Sequence, residues 1–382
     1  MKILQTISGL DARSGGPSTC TYDLLSSIAN IQQGVDLLTL YSEHILGKED
    51  AWMIKLPNDS KTPYAYSSNI RKFLRDSDYD IYHTNGLWLD CNHATCSIAR
   101  KKHKPYVISP HGMLYPQALR RSYWKKWPLL QLAFHKDIRE ANCLHASCNQ
   151  EKDYARAFGY EGPIAVIPNP FLCYEGAELL FERKIEAYQT NSKDRVFGFL
   201  GRIHPVKKIE NILYAAQLIA KDCDFKIVLL GKGDDEYEAF LKKETDRLGL
   251  SGIVEFAGFV KGKEKFERLA QLSALFVPSE FESFGMIVLE ALSVGTPVMA
   301  SLDTPWEDLN AEKCGWWTDN SPETIAGIMK QIIVTPNQDL IDMGARGMNL
   351  VKEKYKSDSV AKKMLQLYKW ILDGGEKPDF VF

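Results

Sequence analysis

The chain has 382 residues, 45% of them apolar and 25% charged, with a formal net charge of −2. This length predicts two domains in a globular protein of ordinary composition. The charge balance excludes a polycation built for nucleic acid, no run of about 18 apolar residues suits a membrane-spanning helix, and the Met1–Ile7 run is too short for the apolar core of a signal peptide.

Lys2 to Ile7 reads as a short strand, followed by a polar loop from Ser8 to Thr19 that contains Gly15 and Gly16. Leu24, Leu25, Ile28 and Ile31 have the spacing of a helix over Tyr22–Ile31. Strands follow at 35–41, 80–83, 105–109, 143–146 and 164–167, with helical stretches at 70–74, 129–141 and 151–158 and another through Ile98 and Arg100. Loops rich in glycine or polar residues, such as Asn85-Gly86 and His111-Gly112, come after strands. This alternation predicts an α/β protein, a parallel sheet with helices on both faces. Ligands of such sheets bind at the carboxyl ends of the strands.

Residues 171–194 carry mixed charge and read as a linker helix. The alternation restarts at Arg195. A strand to Leu200 precedes the loop Gly201–Lys207 and a helix over 209–220. Strands at 225–230, 254–256, 274–277 and 297–300 follow, with helices between them, and the chain is mostly helical from about Pro322. The expectation is two doubly wound, Rossmann-like halves facing across a cleft.

The stretch after the 274–277 strand carries two carboxylates. Glu282 precedes a predicted helix, and Glu290 lies within it among Val288, Leu289, Ala291 and Leu292. In one unbroken helix their Cα atoms would be about 12 Å apart, beyond the roughly 5–9.5 Å of glycosidase pairs. A helix starting near Gly285 would bend the chain at Ser283 and Phe284 and bring Glu282 toward the helix N-terminus, where free N–H groups favour phosphate. The alternative is a capping Glu282 and an exposed Glu290.

In the loop Gly201–Lys207, Arg202 and Lys207 suit a diphosphate, one as a bidentate fork and one as a point charge; a solvated basic loop is the alternative. Gly15-Gly16 permits close backbone approach, but no Gly-Lys-Ser/Thr follows. Gly231-Lys232-Gly233 lacks the third glycine of a dinucleotide fingerprint, where Glu236 stands. Asp76-Ser77-Asp78 and Asp222-Cys223-Asp224 precede strands and read as solvated turns. Cys91, His93 and Cys96 come nearest to a metal cluster but read as a helix with reduced thiols, so no metal site is expected. His111 closes a strand, where it serves catalysis, sugar binding or structure. Nine basic residues and no acid lie between Arg100 and Lys136. Arg120, Arg121, Lys125 and Lys126, interleaved with Trp124 and Trp127, suit docking on anionic lipid; a solvated helix with inward tryptophans is the alternative.

Together, Glu282-x7-Glu290, Gly201-Arg202-Ile203-x3-Lys207, Gly15-Gly16, His111 and Ile167-Pro168-Asn169 resemble the retaining glycosyltransferases of the GT-B fold, family four, over nearly the whole chain. The run Asp303–Leu309 followed by Gly315-Trp316-Trp317 is similar to bacterial enzymes building O-antigen, capsule or exopolysaccharide. The resemblance implies an acceptor-binding domain over 1–170, a nucleotide-sugar-binding domain over 171–355 including the linker, and a terminal helix, about 356–382, crossing back to the first domain. It implies that Arg202 and Lys207 hold the donor diphosphate without a metal, that Glu290 binds the ribose, and that Glu282 contacts sugar hydroxyls. His111 would lie near the sugar, and Gly15 and Gly16 near the phosphates. Gly201 and the helix start at Ser283, Phe284 and Gly285 would border the diphosphate, with Gly231, Gly233, Phe256 and Phe259 near the base. The implied donor is a UDP- or GDP-sugar, with no cofactor, and the acceptor is a glycan or a polyprenyl-diphosphate-linked saccharide. The implied location is cytoplasmic, peripheral on the inner face of the membrane. Lys208 departs from the resemblance, standing where glycine is usual. A nucleotide-sugar epimerase of the same fold and a noncatalytic nucleotide-sugar-binding protein are the competing readings.

Overall fold

The computed structural model describes residues 1–11, 16–120, 133–190 and 195–382. Gly15, Arg121, Trp124, Lys125, Lys126 and Trp127 therefore lie outside the described residues. The chain divides into one unit of Met1–Leu172 with Lys354–Phe382 and another of Cys173–Glu353.

In the first unit, strands β1 (Ile3–Gly9), β2 (Val35–Leu40), β3 (Met53–Leu56), β4 (Ile81–Asn85), β5 (Tyr106–Ser109), β6 (Cys143–Ala146) and β7 (Ile164–Val166) form a sheet in the order β3-β2-β1-β4-β5-β6-β7. Every pairing between these strands is parallel. Successive side chains of a strand face opposite ways, and here both faces are apolar. Ile3, Leu37, Ile81 and Val107 enter one core cluster, while Leu4, Leu38, Tyr82 and Ile108 enter the other. Burial on both faces explains why the strands read as nearly continuous apolar runs.

The first cluster also takes Leu24 and Ile28 of the Gly16–Ile31 helix and Val360, Met364 and Leu367 of the Ser357–Asp373 helix. The terminal helix thus packs in the N-terminal unit. The final residues continue onto the sheet edge, where Phe382 and Ile164 exchange backbone hydrogen bonds of 2.9 and 3.0 Å, covering an otherwise open strand. Two expectations need correction. The first helix begins at Gly16 rather than Tyr22, because Pro17 in its first turn needs no N–H partner. Strand β3 was not foreseen, since only Met53 of its four residues is fully buried.

In the second unit, β8 (Val196–Leu200), β9 (Lys226–Leu230), β10 (Val254–Gly258), β11 (Ala274–Val277), β12 (Val298–Ser301) and β13 (Gly315–Thr318) run in the order β10-β9-β8-β11-β12-β13. Phe197, Ile227, Leu229, Phe276 and Met299 pack against Ile212, Leu213 and Ala216 of the Ile209–Ile219 helix and Ile325, Met329 and Ile332 of the Pro322–Val334 helix. The expected linker helix, Ala177–Gln189, is an integral part of this unit, with Ala177, Leu180, Lys184 and Tyr188 buried on one side. Lys184 Nζ donates to Leu272 O at 2.7 Å and Thr296 Oγ1 at 2.8 Å. Each sheet reverses its strand order once, beside β1 and β4 in the first and beside β8 and β11 in the second. Such reversals are where doubly wound sheets open a binding crevice.

Candidate active site

The loops following β8 and β11 leave adjacent strands at the second sheet's reversal point. They are joined by Glu280 N–H, which donates to Val206 O at 2.9 Å. The β11 loop is fixed from behind by Ser301 Oγ on Ser279 O at 2.5 Å and Asn320 Nδ2 on Pro278 O at 2.8 Å. It ends at Gly285 (φ +82°), which begins the helix Met286–Ser293 without a side-chain cap. This is the bend that the sequence suggested. Its shape depends on Trp306, which is buried and donates through Nε1 to Phe284 O at 2.6 Å.

Both carboxylates face one pocket, lined also by Gly201, Lys207 and Met286. Glu282 does not cap the helix. Its Oε1 accepts from Lys207 Nζ and, at 3.2 Å, from Ser279 Oγ. Glu290 Oε1 accepts from Lys265 Nζ at 2.6 Å, with both side chains about one-fifth exposed. Each acid is thus neutralised locally. Lys265, on the helix Gly262–Gln271, was not singled out in the sequence, where it is one charge among several on an amphipathic helix. Arg202 is exposed and forms no ion pair among the described residues. The arrangement presents a helix N-terminus, an available guanidinium and two acid–lysine pairs, a set suited to an anion joined to a polyhydroxylated group.

Lys208 adopts the left-handed conformation (φ +50°, ψ +42°), which explains why glycine would be usual there. Its Nζ lies 2.9 Å from Glu280 Oε1 and 3.8 Å from Glu210 Oε1, so its charge is spent on the loop.

Gly231 and Gly233 are required by the close packing of two loops. A Cβ on Gly231 would lie 1.8 Å from Gly201 O, and one on Gly233 would lie 2.1 Å from Ile203 O. They let the β9 loop lie against the Arg202 loop, which Ile203 N–H on Lys232 O (3.3 Å) and Asp234 N–H on Ile203 O (2.8 Å) then fasten. Phe256 packs on the core beneath Lys242, whose Nζ is 5.6 Å from the ring centroid, and does not line the acid pocket. Phe259, beyond the end of β10, is 69% exposed.

In the first unit, His111 follows β5 in a left-handed turn (φ +50°), and Gly112 continues it (φ +77°). The turn is held by Glu151, whose buried carboxylate accepts from Gly112 N–H at 2.5 Å, Ser147 N–H at 2.7 Å and Ser147 Oγ at 2.8 Å. Burial pushes the Glu151 carboxyl up from its ordinary range. His111 Nε2 is 3.0 Å from Asn85 Oδ1, and burial lowers its imidazole to about 3. Gly16 is exposed at the start of its helix. His93 Nδ1 meets Asp137 Oδ2 at 2.7 Å instead of joining Cys91 and Cys96.

Part of the basic segment is used internally. Arg100 Nη2 lies 2.6 Å from Asp137 Oδ1, and Lys104 Nζ lies 3.1 Å from Asp78 Oδ1. Arg120 is exposed. No helix among the described residues is long and apolar enough to cross a membrane.

Two family profiles match the chain, Glycosyltransferase Family 4 over residues 14–171 and Glycosyl transferases group 1 over residues 181–367. An uncharacterized glycosyltransferase of Methanocaldococcus jannaschii is 29% identical over 221 residues, which are 55% of this chain and 54% of that protein. The chain thus spans about half the length of this relative. The alpha-monoglucosyldiacylglycerol synthase of Streptococcus pneumoniae is 22% identical over 380 residues, 92% of this chain and 82% of that one. Among solved structures, Anabaena HepE in complex with UDP superposes with a TM-score of 0.75 at 18% identity, covering 97% of this chain and 100% of the other.

Proposed function

The chain belongs to family four of the glycosyltransferases with the GT-B fold, and from that premise we propose that it is a retaining enzyme that moves a sugar from a nucleoside-diphosphate donor to a hydroxyl acceptor. The observation that carries this reading is the pocket at the second sheet's reversal point, where Lys207, Glu282, Glu290 and a helix N-terminus converge. Arg202, Lys207 and the helix N–H groups take the diphosphate, and the ribose hydroxyls bond Glu290. Glu282 bonds sugar hydroxyls, and His111 is read, within the first unit, as a sugar contact of its own. The UDP bound by HepE supports a UDP-sugar as the first donor to test, with GDP-sugars second.

In the reaction the anomeric carbon–phosphate oxygen bond breaks and a bond to the acceptor oxygen forms on the same face. The acceptor proton passes to the departing phosphate. Charge builds on that phosphate in the transition state, where preorganised cations act most strongly. No metal or cofactor enters this scheme. The acceptor is a glycan or a polyprenyl-diphosphate-linked saccharide in bacterial surface-polysaccharide synthesis. Arg120, Arg121, Lys125 and Lys126 hold the enzyme on anionic lipid at the inner face of the membrane.

The test is turnover of a panel of UDP- and GDP-sugars with and without acceptor, with the product anomer read by NMR. Transfer with retained configuration is expected. An epimer formed from donor alone, an inverted product, or unchanged turnover after Arg202→Ala with Lys207→Ala would overturn the reading. Glu282→Gln should reduce turnover more than nucleotide binding, and Glu290→Gln should weaken nucleotide binding about tenfold. For the lipid contact, salt-sensitive binding to anionic liposomes is expected, and equal binding by the fourfold alanine variant would refute it.

A further inference from the structure

His111 is the outer end of a buried chain of hydrogen bonds that runs across four strands and onto the terminal helix. From the inside outward, His145 Nε2 lies 2.8 Å from Ile167 O, and His145 Nδ1 is 2.6 Å from Ser109 Oγ. Ser109 Oγ is also 2.6 Å from His83 Nε2, and His83 Nδ1 is 2.6 Å from Tyr368 Oη. Gln5 Nε2 meets Tyr368 Oη at 2.8 Å, Asn85 Nδ2 meets Gln5 Oε1 at 2.9 Å, and His111 Nε2 meets Asn85 Oδ1 at 3.0 Å. Gln5, His83, Ser109, His145, Asn85 and Tyr368 are each at most 5% exposed.

The chain has one consistent direction. A backbone carbonyl can only accept, so His145 must carry its proton on Nε2 and accept at Nδ1. Ser109 therefore donates to His145 and accepts from His83 Nε2–H. His83 then accepts at Nδ1 from the Tyr368 hydroxyl, which accepts in turn from the Gln5 amide. The Gln5 carbonyl accepts from the Asn85 amide, a sense reinforced by Asn85 Nδ2 on Thr6 O at 3.5 Å. Asn85 is left with only its carbonyl for His111, so His111 must donate from Nε2. Burial keeps all three imidazoles neutral, with His145 lowered to about 4 and His83 well below its ordinary value.

We propose that this chain of hydrogen bonds locks His111 in the Nε2–H tautomer, with Tyr368 of the terminal helix as a positioning residue, and so leaves Nδ1 bare to accept from a hydroxyl of the bound sugar. The last step rests on the reading of His111 as a sugar contact. Tyr368 is the point at which the direction is handed from the imidazoles to the amides. Without its hydroxyl, Gln5 and Asn85 are free to turn over and offer His111 an amide donor in place of a carbonyl. The terminal helix thereby acts on His111 through polar contacts as well as through its apolar packing.

The test uses the full-length enzyme labelled with 15N-histidine, its tautomers read from two- and three-bond 1H–15N couplings and the His111 signals assigned with His111→Gln. The unmodified protein should show His83, His111 and His145 as Nε2–H tautomers, unchanged between pH 6 and 8. A His111 found as the Nδ1–H tautomer, or titrating in that range, would overturn the proposal without any variant having to fold. Tyr368→Phe, which keeps the ring, should give mixed His111 tautomers and a kcat about tenfold lower at unchanged nucleotide Kd. An unaltered His111 spectrum in Tyr368→Phe would also overturn it. If the unmodified enzyme transfers no sugar, the functional reading fails while the imidazole spectrum is untouched, so the two failures are distinguishable.

Discussion

The contact between the β9 loop and the Arg202 loop makes Gly231→Ala a sharp test of how this site is built. At Gly231 φ is +149°, and the added Cβ would lie 1.8 Å from Gly201 O and 3.0 Å from Gly201 C. Both obstacles are backbone, so no side-chain rotation relieves them. Backbone strain of about 1–2 kcal/mol and overpacking of about 1–3 kcal/mol together give about 2–5 kcal/mol. For a unit of this size that lowers Tm by roughly 4–20 °C. Two other glycines separate the contributions. Gly249 has φ +72° with nothing within 4 Å, so its alanine variant suffers strain alone. Gly233 lies outside the left-handed region but would meet Ile203 O at 2.1 Å, so its variant suffers the clash alone. Thermal melts should rank Gly231→Ala as the least stable of the three. Steady-state kinetics should show lower kcat/KM for Gly231→Ala and Gly233→Ala, because the displaced loop carries Arg202, and none for Gly249→Ala. If all three variants melt together and turn over alike, the two loops do not depend on one another and the reasoning fails.

Lys208→Gly should exceed Lys208→Ala in stability by about 1 kcal/mol, because both lose the exposed pairs with Glu280 and Glu210 while only glycine relieves the left-handed backbone; equal urea midpoints would contradict this. The three neutral imidazoles His83, His111 and His145 make stability pH-dependent in a definite sense. Their folded pKa values lie below the ordinary 6.5, so their contribution is full above that value and drains away as pH falls through the folded values, about 3 for His111, about 4 for His145 and well below the ordinary range for His83. Urea melts at pH 7.5 and 5.5 should therefore differ by about 1.4 kcal/mol per imidazole, with the protein weaker in acid, and a flat profile would show that the imidazoles titrate alike in the folded and unfolded chain. Lys207→Ala should destabilise the unliganded protein by about 1–3 kcal/mol, since it strips Glu282 of its cation. Adding Glu282→Gln should restore most of that loss without restoring turnover, and parallel recovery of both would refute the separate roles.

The sheets were legible because strands buried on both faces read as apolar runs, each followed by a polar or glycine-bearing loop. The Ala177–Gln189 helix was misread for a specific reason. Its buried positions Ala177, Leu180, Lys184 and Tyr188 follow a helical spacing, but a lysine interrupts the stripe and makes it look solvated. At the site, the bend before Met286 and the convergence of Lys207, Glu282 and Glu290 could be inferred from order along the chain. The Lys265–Glu290 pair could not, because it depends on how two helices pack. The polar chain behind His111 has its own signal in the sequence: Gln5, His83, Ser109 and His145 are polar residues at buried positions of the central strands. Gln5 and His83 even stand opposite one another in register. A polar residue buried at one level in successive parallel strands must find its partners sideways, across the sheet.

The charge pattern of the pocket gives this pairing a purpose in the proposed reaction. Two unaccompanied carboxylates beside a helix N-terminus would repel the diphosphate they are meant to flank. With Lys207 on Glu282 and Lys265 on Glu290, each acid is screened before the donor arrives. Three cations (Arg202, Lys207 and Lys265) against two acids leave one formal positive charge, supplemented by the helix dipole of roughly half a charge. When phosphate binds, Lys207 can turn to it at little cost, because the released Glu282 gains sugar hydroxyls in exchange. The same lysine thus suits two states of the site, holding the acid before the donor binds and the phosphate afterwards. This exchange ties leaving-group stabilisation to correct seating of the sugar: a donor whose hydroxyls cannot satisfy Glu282 leaves Lys207 divided between acid and phosphate, and loses rate more than affinity.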